Sequence, residues 1–397
     1  MTFTLPIFLV IGSSSHAGFS LEWEECMQNL ENELKNRIAC RCVKLNIFTA
    51  PTAAEEFMQR KNKIRYDLSE FFLANLPPYS VIPQKPCPPG EVVLEATLAP
   101  VEGRKVVYRE LAGHRYAAID GYLEKEIWFN GLGKFDITGR TDVSAIAAYS
   151  DLIAMLEKEG MNLDHIVRQW NYIGGILDQE ETHGALIQNY QLFNSVRHNQ
   201  HQMYKKIAGF QAATGIGMAF RGMQADAYAL LFGNEGKITP VTNPRQQQPD
   251  QYSSALLNDA GSSHLNPRRP PQFERAKLVS DANQSILFIS GTAAIMGENT
   301  AATGDVQAQT HITLENIETL AEKSNLLKHC PALKKLPVHY IHARVYVKNT
   351  ADMPQVQQIC SSYLGEIPVV YLQADICRQD LLVEIEAEKS SQPLQTA

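Results

Sequence analysis

Three glutamates near the end of the chain have the spacing of one face of a β-strand. Glu384, Glu386 and Glu388 alternate with apolar residues, and side chains two positions apart in a strand point to the same side. Such a face is either a row of solvated carboxylates or part of a pocket. In a partly apolar pocket, desolvation raises the pKa of a carboxyl group, which can then act as a general acid. Both interpretations stay open on spacing alone.

Arginines are the second group with possible chemistry, because a guanidinium can donate two parallel hydrogen bonds to one carboxylate. The net charge of the chain is -7, so an anionic substrate would need a local arginine cluster. The candidates are Arg197, Arg245, Arg268, Arg269, Arg275 and Arg344. A single arginine is more often a surface residue, and those within motif-rich stretches are the better candidates.

The remaining motifs do not indicate a bound cofactor. His198 and His201 lie about one helical turn apart, but no acidic residue or cysteine accompanies them to complete a metal site. Gly215 and Gly217 do not belong to a GxGxxG motif, and Ser290 does not belong to a GxSxG motif. No metal, nucleotide or redox cofactor is called for.

Composition limits the class of protein. A length of 397 residues suits two packed units, and the acidic balance argues against general nucleic-acid binding. The seven cysteines show no paired spacing, which is typical of reduced thiols in a cytosolic protein. The apolar run at 6–11 lacks a preceding basic residue, so we interpret it as a first strand rather than a signal sequence. We expect a cytoplasmic protein that does not cross a membrane.

The elements that must position these residues occur twice. In the first repeat, the pattern predicts strands at 126–130, 166–173, 215–221 and 227–232, with helices at 142–159 and 185–208. In the second repeat, it predicts strands at 286–291, 338–348, 369–376 and 381–387, with helices at 305–323 and 354–364. Before them, the first hundred residues are predicted as strands and loops with one helix at about 53–76.

Both repeats have the order β-α-β-α-β-β. We therefore predict an α+β fold of two similar units packed together after a strand-rich N-terminal segment. The predicted parts are 1–236 for that segment with the first unit, 237–272 for a connecting loop, and 273–397 for the second unit. The loop is rich in Asn, Gln, Pro and Ser, but it has arginines beside Tyr252 and Phe273. It is therefore either a linker or a functional loop that contributes to a pocket.

The repeat allows an internal comparison. When residues 220–221 are matched to residues 377–378, the position of Glu384 falls on Ala227 in the first unit. The fold then does not require a carboxylate there, and we predict that only the second unit holds the acid.

The second unit resembles the YjgF/RidA superfamily, which has the chorismate-mutase-like fold, and more than half of the chain resembles the chorismatase branch more specifically. The superfamily pattern is carried by residues 289–292, 304–305, 309–310, 316–317 and 383–386. The chorismatase pattern is carried by RQWNYI at 168–173, YQLFN at 190–194, AATGIG at 212–217, NPRQ at 243–246, FERA at 273–276, ISGTAA at 289–294, ADICR at 374–378 and LVEIE at 382–386.

The resemblance implies a cofactor-independent enzyme that hydrolyses chorismate to pyruvate and either a hydroxybenzoate (3- or 4-hydroxybenzoate) or a dihydroxycyclohexadienoate. It implies that Glu384 protonates the methylene carbon of the enolpyruvyl group, and that Arg197 and Tyr252 bind the substrate. The positions where small residues shape the pocket and steer the product are Ala293, Ala294 and Ala374.

The chain departs from the family pattern at three places. After NPRQ the family continues with a tyrosine- and proline-rich segment, whereas the stretch 247–266 of this chain, which contains Tyr252, is longer. Gly174-Gly175 replaces a proline-containing sequence. Lys348 stands where the resemblance implies an arginine, so Arg344 is assigned as the second carboxylate-binding residue.

Two other functions are alternatives. A Rid-type enamine/imine deaminase needs an arginine at the start of the penultimate strand, where this chain has Val369 and Val370. A non-catalytic YjgF-like ligand-binding protein stays open from sequence. Single YjgF-like domains form trimers with pockets between subunits, so two fused copies predict a monomer or a small homo-oligomer that binds a small molecule, with no nucleic-acid or membrane partner.

Overall fold

The structure is a computed structural model that describes residues 3–14, 17–87, 90–121, 124–133, 139–182, 184–233, 236–253 and 268–393. The α+β prediction is confirmed, and both predicted units are present. The N-terminal segment is more than a set of strands, because it forms a further unit with its own sheet and two helices. Counted along the chain it is the first of three units, so the two predicted units are from here on the second and the third.

The first unit has a four-stranded sheet in the order β1-β5-β2-β3. Its elements are β1 (Ile7–Gly12), α1 (Phe19–Asn36), β2 (Cys40–Thr49), α2 (Ala54–Phe72), β3 (Tyr79–Ile82), β4 (Lys85–Pro86) and β5 (Val92–Pro100). Helix α1 was not predicted, although Trp23, Cys26 and Leu30 have helical spacing and are fully buried against the sheet.

The second unit has a six-stranded sheet in the order β12-β9-β13-β8-β7-β6. Its elements are β6 (Lys105–Leu111), β7 (His114–Asp120), β8 (Glu124–Leu132), α3 (Thr141–Lys158), β9 (Ile166–Gly174), β10 (Gln179–Thr182), β11 (Ala185–Gln188), α4 (Asn189–Tyr204), β12 (Ala212–Met218) and β13 (Met223–Phe232). The predicted helix at 185–208 is shorter, because its first residues form β11.

The third unit has a seven-stranded sheet in the order β14-β15-β16-β21-β19-β20-β4, so β4 of the first unit completes its edge. Its elements are β14 (Lys237–Val241), β15 (Ala276–Ser280), β16 (Ser285–Ala293), β17 (Ile295–Met296), β18 (Asn299–Thr300), α5 (Val306–Ala321), α6 (Lys323–His329), β19 (His339–Val347), α7 (Met353–Leu364), β20 (Val369–Gln373) and β21 (Val383–Ser390). Asp305 caps α5 by accepting a hydrogen bond from Ala308 N at 3.0 Å. Strand β14 shows that part of the predicted connecting loop belongs to this sheet, and the domain boundaries themselves stay a prediction.

The three units share one topology. In each sheet the last strand lies between the strand before the first helix and the strand after it, in the orders β1-β5-β2-β3, β8-β13-β9-β12 and β16-β21-β19-β20. The helices cover one face of each sheet, and the opposite, inner faces meet in a shared core that includes Phe48, Trp170 and Tyr346. None of the helices within the described residues is long and apolar enough to span a membrane.

Charged side chains also meet at the centre of this core. Arg344 donates from Nε to Glu95 Oε2 at 2.7 Å and from Nη1 to Tyr172 Oη at 2.9 Å, so residues of all three units are joined. His342 lies between Glu95 and Glu388, with nitrogen–oxygen distances of 3.0 and 2.8 Å. Although burial disfavours its charged form, these carboxylates raise the pKa of His342 to about 9. The network therefore pairs each buried charge with a partner in another strand or unit.

The strand registers correct the internal comparison. Ala227 faces the helices of the second unit, whereas Glu384 lies on the inner face of its sheet. The parallel pairing of Trp170 with Thr214 in the second unit corresponds to that of Arg344 with Val370 in the third.

The antiparallel registers then give the equivalent positions in the last strands. Asp226 pairs with Trp170, and Glu386 pairs with Arg344. Two residues earlier, Gln224 corresponds to Glu384. The prediction that Ala227 is the counterpart of Glu384 was therefore wrong. The two strands had been aligned out of register by an odd number of residues, which moves a side chain to the other face of a strand.

Candidate active site

A pocket of about 600 Å³ lies where the second and third units meet. The second unit contributes residues of α4 and β12, and the third contributes residues of β16, β21 and the segment 377–381. A further side is closed by residues between β14 and β15, namely Tyr252, Arg268, Pro271, Phe273 and Arg275. Two hydrogen bonds join the second and third units here. Ala213 N donates to Ser290 Oγ at 2.9 Å, and Gly291 N donates to Thr214 Oγ1 at 3.0 Å.

Glu384 lies in this pocket on β21, opposite Ala293 of β16 and Tyr346 of β19. Its side chain is buried, and no described residue makes a hydrogen bond with the carboxyl group. Burial and the nearby charge of Glu386 raise the pKa of Glu384 to about 8, against a smaller opposing effect of arginines. The carboxyl group is therefore mostly protonated at neutral pH.

Glycine at position 291 makes room for this carboxyl group. A Cβ atom on Gly291 would lie 2.1 Å from Glu384 Oε1 and 3.1 Å from Thr214 Cγ2. No larger residue fits here unless the acid moves.

Glu386, two residues further along the same strand face, has the opposite electrostatic character. Burial alone would raise the pKa of its carboxyl group, but the charges of Arg168 and Arg344 and hydrogen bonds from Thr214 and Trp170 hold it below its usual value. Arg168 Nη2 and Trp170 Nε1 each lie 2.8 Å from a Glu386 oxygen. Two neighbouring carboxyl groups thus have pKa values that are pushed apart, which is the arrangement that separates an acid from a permanent anion.

Arg197 approaches the pocket from α4. It is buried, its Nη2 donates to Asn194 Oδ1 at 2.6 Å, and its guanidinium carbon lies 4.9 Å from the centre of the Phe193 ring. Its buried Nε has no hydrogen-bond partner among the described residues. An unpaired buried donor on a charged group is costly, so this nitrogen is suited to an anionic ligand.

Arg275 approaches from the other unit, next to the start of β15. Its Nη2 donates to Tyr252 Oη at 2.9 Å and to Gln247 O at 2.6 Å, and its buried Nε also lacks a partner among the described residues. Tyr252 is further packed against Arg378, whose guanidinium carbon lies 5.3 Å from the ring centre. Arg268 lines the same pocket, which therefore presents four arginines around one buried acid and the half-buried Asp380.

The structure brings together four of the seven residues assigned from sequence: Glu384, Arg197, Tyr252 and Ala293 all line the pocket. Ala294 and Ala374 are buried, but neither is among the lining residues.

Arg344 does not reach the pocket either, because its guanidinium is held at the centre of the molecule by Glu95, Tyr172 and, at 3.3 Å, Glu386. Its assignment to a substrate carboxylate is therefore corrected, and its contacts give it a role in the buried charge network. The other candidates Arg245 and Arg269 also lie outside the lining, and Arg245 pairs with Glu315 at 2.9 Å.

Several pocket residues were not assigned from sequence. Arg275 was only one of six candidate arginines, although it belongs to the FERA segment, and Arg378 belongs to the ADICR segment. Gly291 sits in the ISGTAA segment, where the close approach of a distant carboxyl group explains the glycine. Asp380 carried no sequence signal.

Comparisons with known proteins agree with this architecture. A family model described as "Chorismatase FkbO/Hyg5-like, N-terminal" matches residues 108–229. A 3-hydroxybenzoate synthase of Streptomyces hygroscopicus is 32% identical over 265 residues, which are 65% of this chain and 73% of the relative. A chorismatase of the same species is 30% identical over 277 residues, 69% of this chain and 73% of the relative.

The fold has a counterpart among solved structures. The crystal structure of a chorismatase matches with a TM-score of 0.69 and 22% identity, and the match covers 98% of this chain and 99% of the other. By its sequence relatives, this chain belongs to the chorismatase family.

Proposed function

We propose that this protein is a chorismatase that hydrolyses chorismate to pyruvate and a cyclic carboxylic acid without a cofactor. The observation that carries the proposal is Glu384, a buried carboxyl group in a pocket lined by four arginines, where burial raises its pKa to about 8. Family membership supports it, since relatives are named chorismatase and 3-hydroxybenzoate synthase.

The enolpyruvyl group of chorismate is an enol ether, and its methylene carbon is the atom that accepts a proton. The Glu384 O–H donates that proton, the methylene becomes a methyl group, and the ether carbon becomes an oxocarbenium ion. The Glu384 carboxylate left behind then stabilises the cation electrostatically, because the site is buried.

Two outcomes balance from this intermediate. If water adds to the cationic carbon and loses a proton, the resulting hemiketal releases pyruvate and a dihydroxycyclohexadienoate. If a ring hydroxyl captures the cation instead, loss of pyruvate and aromatisation of the ring give a hydroxybenzoate, either 3- or 4-hydroxybenzoate, with no net consumption of water.

The arginines have the task of binding the two carboxylates of chorismate. Arg197 and Arg275 lie on different units, and each has a buried Nε without a hydrogen-bond partner in the part of the chain that the structure describes. Because a guanidinium matches the geometry of a carboxylate, we assign Arg197 and Arg275 to bind the two carboxylates of chorismate. Arg268 and Arg378 add positive charge, and Ala293 leaves space beside the acid.

The test is incubation of the purified protein with chorismate, with pyruvate detected by coupling to lactate dehydrogenase and the cyclic product identified by chromatography. We expect pyruvate and one cyclic product in equal amounts. Chorismate that binds but releases no pyruvate would instead support the ligand-binding alternative. Ammonia released from an enamine substrate would support the deaminase, although β20 begins with Val369 where that activity needs an arginine.

We further propose that the protein acts as a monomer in the cytoplasm. Both sides of the pocket and all three units come from one chain, so no second copy is needed to complete the site. All seven cysteines are free thiols, which suits a reducing compartment.

A further inference from the structure

A second pocket, of about 710 Å³, lies where the first and second units meet. It is lined by residues of α2 and β3 from the first unit and of β7, β8 and β13 from the second. The first pocket has the same arrangement, because α4 and β12 of the second unit face β16 and β21 of the third. The two pockets are therefore equivalent places in the repeat.

The two pockets share two inner hydrogen bonds, one from a glycine N–H to a hydroxyl and one from that hydroxyl to a carboxylate. Gly131 N donates to Ser80 Oγ at 2.8 Å, as Gly291 N donates to Thr214 Oγ1 at 3.0 Å. Ser80 Oγ also donates to a carboxylate oxygen of Asp226.

Thr214 Oγ1 makes the corresponding hydrogen bond to Glu386. The strand registers agree, because Asn46 pairs with Ser80 as Trp170 pairs with Thr214. The second pocket is thus a structural copy of the first.

The second pocket lacks the acidic side chain of the first. Gln224 takes the place of Glu384, and each pairs with a tyrosine, Tyr172 or Tyr346, on the neighbouring strand. Gln224 Nε2 donates to Val81 O at 2.9 Å, and an amide does not serve as a general acid. This pocket can hold a ligand but cannot protonate it.

The cationic groups of the copy are retained. Arg115 lies one residue before the strand pair Tyr116–Phe129, as Arg275 lies one residue before the pair Ala276–Ile289. Like Arg275, Arg115 has a buried Nε without a hydrogen-bond partner among the described residues.

Helix α2 adds Lys61 and Arg65 on the side where α4 places Arg197. Among the described lining residues the acidic one is Glu110, whose carboxylate is largely exposed and lies 3.8 Å from Arg115 Nε. His114 also lines the pocket and pairs with Asp151 at 3.0 Å. The balance of charge around the pocket is positive.

We propose that this second pocket is a non-catalytic binding site for a small organic carboxylate of the size that the first pocket accepts. Guanidinium groups from two units converge on it, and its floor offers an amide in place of the acid. The proposal rests on the pocket itself and does not depend on which reaction the first pocket catalyses.

The test is the number of 3-hydroxybenzoate molecules bound at saturation, measured by equilibrium dialysis on the full chain. We expect two per wild-type chain and one per chain of the Arg65→Gln/Arg115→Gln variant. Lys63→Gln is the matched control, because it removes a cation of α2 that pairs with Asp67 at 3.0 Å outside the pocket, and it should still bind two.

Arg65 is exposed on α2, so Arg65→Gln alone preserves the fold and should weaken the second binding event at least fivefold. Equal numbers of bound ligand in wild type and in the Arg65→Gln/Arg115→Gln variant, together with an unchanged second affinity in Arg65→Gln, would overturn the proposal. Pyruvate release from chorismate is a separate measurement, so failure of the proposed reaction and failure of the second site give different results.

Discussion

The pocket between the second and third units and the pocket between the first and second units are built from equivalent strands, with a glycine N–H bound to a hydroxyl in each. They differ at the position where one has Glu384 and the other has Gln224. Burial keeps the carboxyl group of Glu384 protonated, so the first pocket holds a proton donor, whereas the second holds an amide. The comparison shows that the repeat provides the pocket and that one side chain provides the acid.

The third junction, between the third and first units, extends the comparison. Val370 stands where the other junctions have Thr214 and Ser80, and Val93 stands where they have Glu384 and Gln224. Strand β4 of the first unit pairs there with β20 of the third. The polar contacts that accompany the two pockets are thus replaced by apolar residues and a continuous sheet.

Replacing the acid by the amide of the other pocket should have the largest effect. We expect Glu384→Gln to lower the rate of pyruvate release from chorismate by about 10²–10⁴-fold, which is the usual contribution of a general acid, while chorismate binding changes little. Steady-state kinetics and a direct binding measurement check both parts. Retention of more than a tenth of the wild-type rate would contradict the role of Glu384.

Closing the space beside the acid should have the next largest effect. In Gly291→Ala the new Cβ would lie 2.1 Å from Glu384 Oε1, so the carboxyl group must move, and a displacement of about 1 Å can lower the rate by about 10²-fold. The equivalent change, Gly131→Ala, is strained because φ is +64°, and it should destabilise the fold by about 1–2 kcal/mol with little change in kcat. Kinetics and thermal unfolding of the two variants separate these outcomes, and equal losses of kcat would contradict the comparison.

Removing one arginine should affect one pocket only. We expect Arg197→Gln and Arg275→Gln each to lower kcat/KM by about 10- to 100-fold, because a hydrogen bond to a charged group contributes roughly 1.5–3 kcal/mol. Arg115→Gln, the equivalent change in the second pocket, should leave kcat/KM within about twofold of wild type. A loss in Arg115→Gln as large as that in Arg275→Gln would show that the pockets are not separate.

Placing an acid in the second pocket should have a smaller effect, on stability. In Gln224→Glu the new carboxyl group is buried and faces Val81 O, so its pKa should rise above 4.5. The folded state then binds more protons than the unfolded state, and the variant should lose stability as the pH rises above 4.5. The melting temperatures of variant and wild type, compared at pH 5 and pH 8, should differ more at pH 8, and an equal difference at both would contradict burial of this position.

Much of the site was predictable from local sequence. The alternation around Glu384 indicates a strand face, and the resemblance to the chorismatases implied Arg197 and Tyr252, which both line the pocket. The role of Arg344 was not predictable, because its partner Glu95 is 249 residues away along the chain and no local pattern joins them.

The N-terminal unit and the true counterpart of Glu384 were missed for different reasons. The apolar stripe of α1 is narrow and lies among polar residues, so its helical spacing is weak evidence alone. Glu384 was matched to Ala227 because two strands of little sequence similarity cannot be aligned in register until their hydrogen-bond partners are known.

The most direct test of the account is the pH dependence of kcat/KM for chorismate between pH 4 and pH 10. Glu384 must be protonated to donate, and its pKa is about 8, so kcat/KM should be constant at low pH and fall about tenfold per unit at pH values above 8. A value of kcat/KM that already falls near pH 4.5–5.5, or one that stays constant to pH 10, would contradict a buried, protonated Glu384 as the acid.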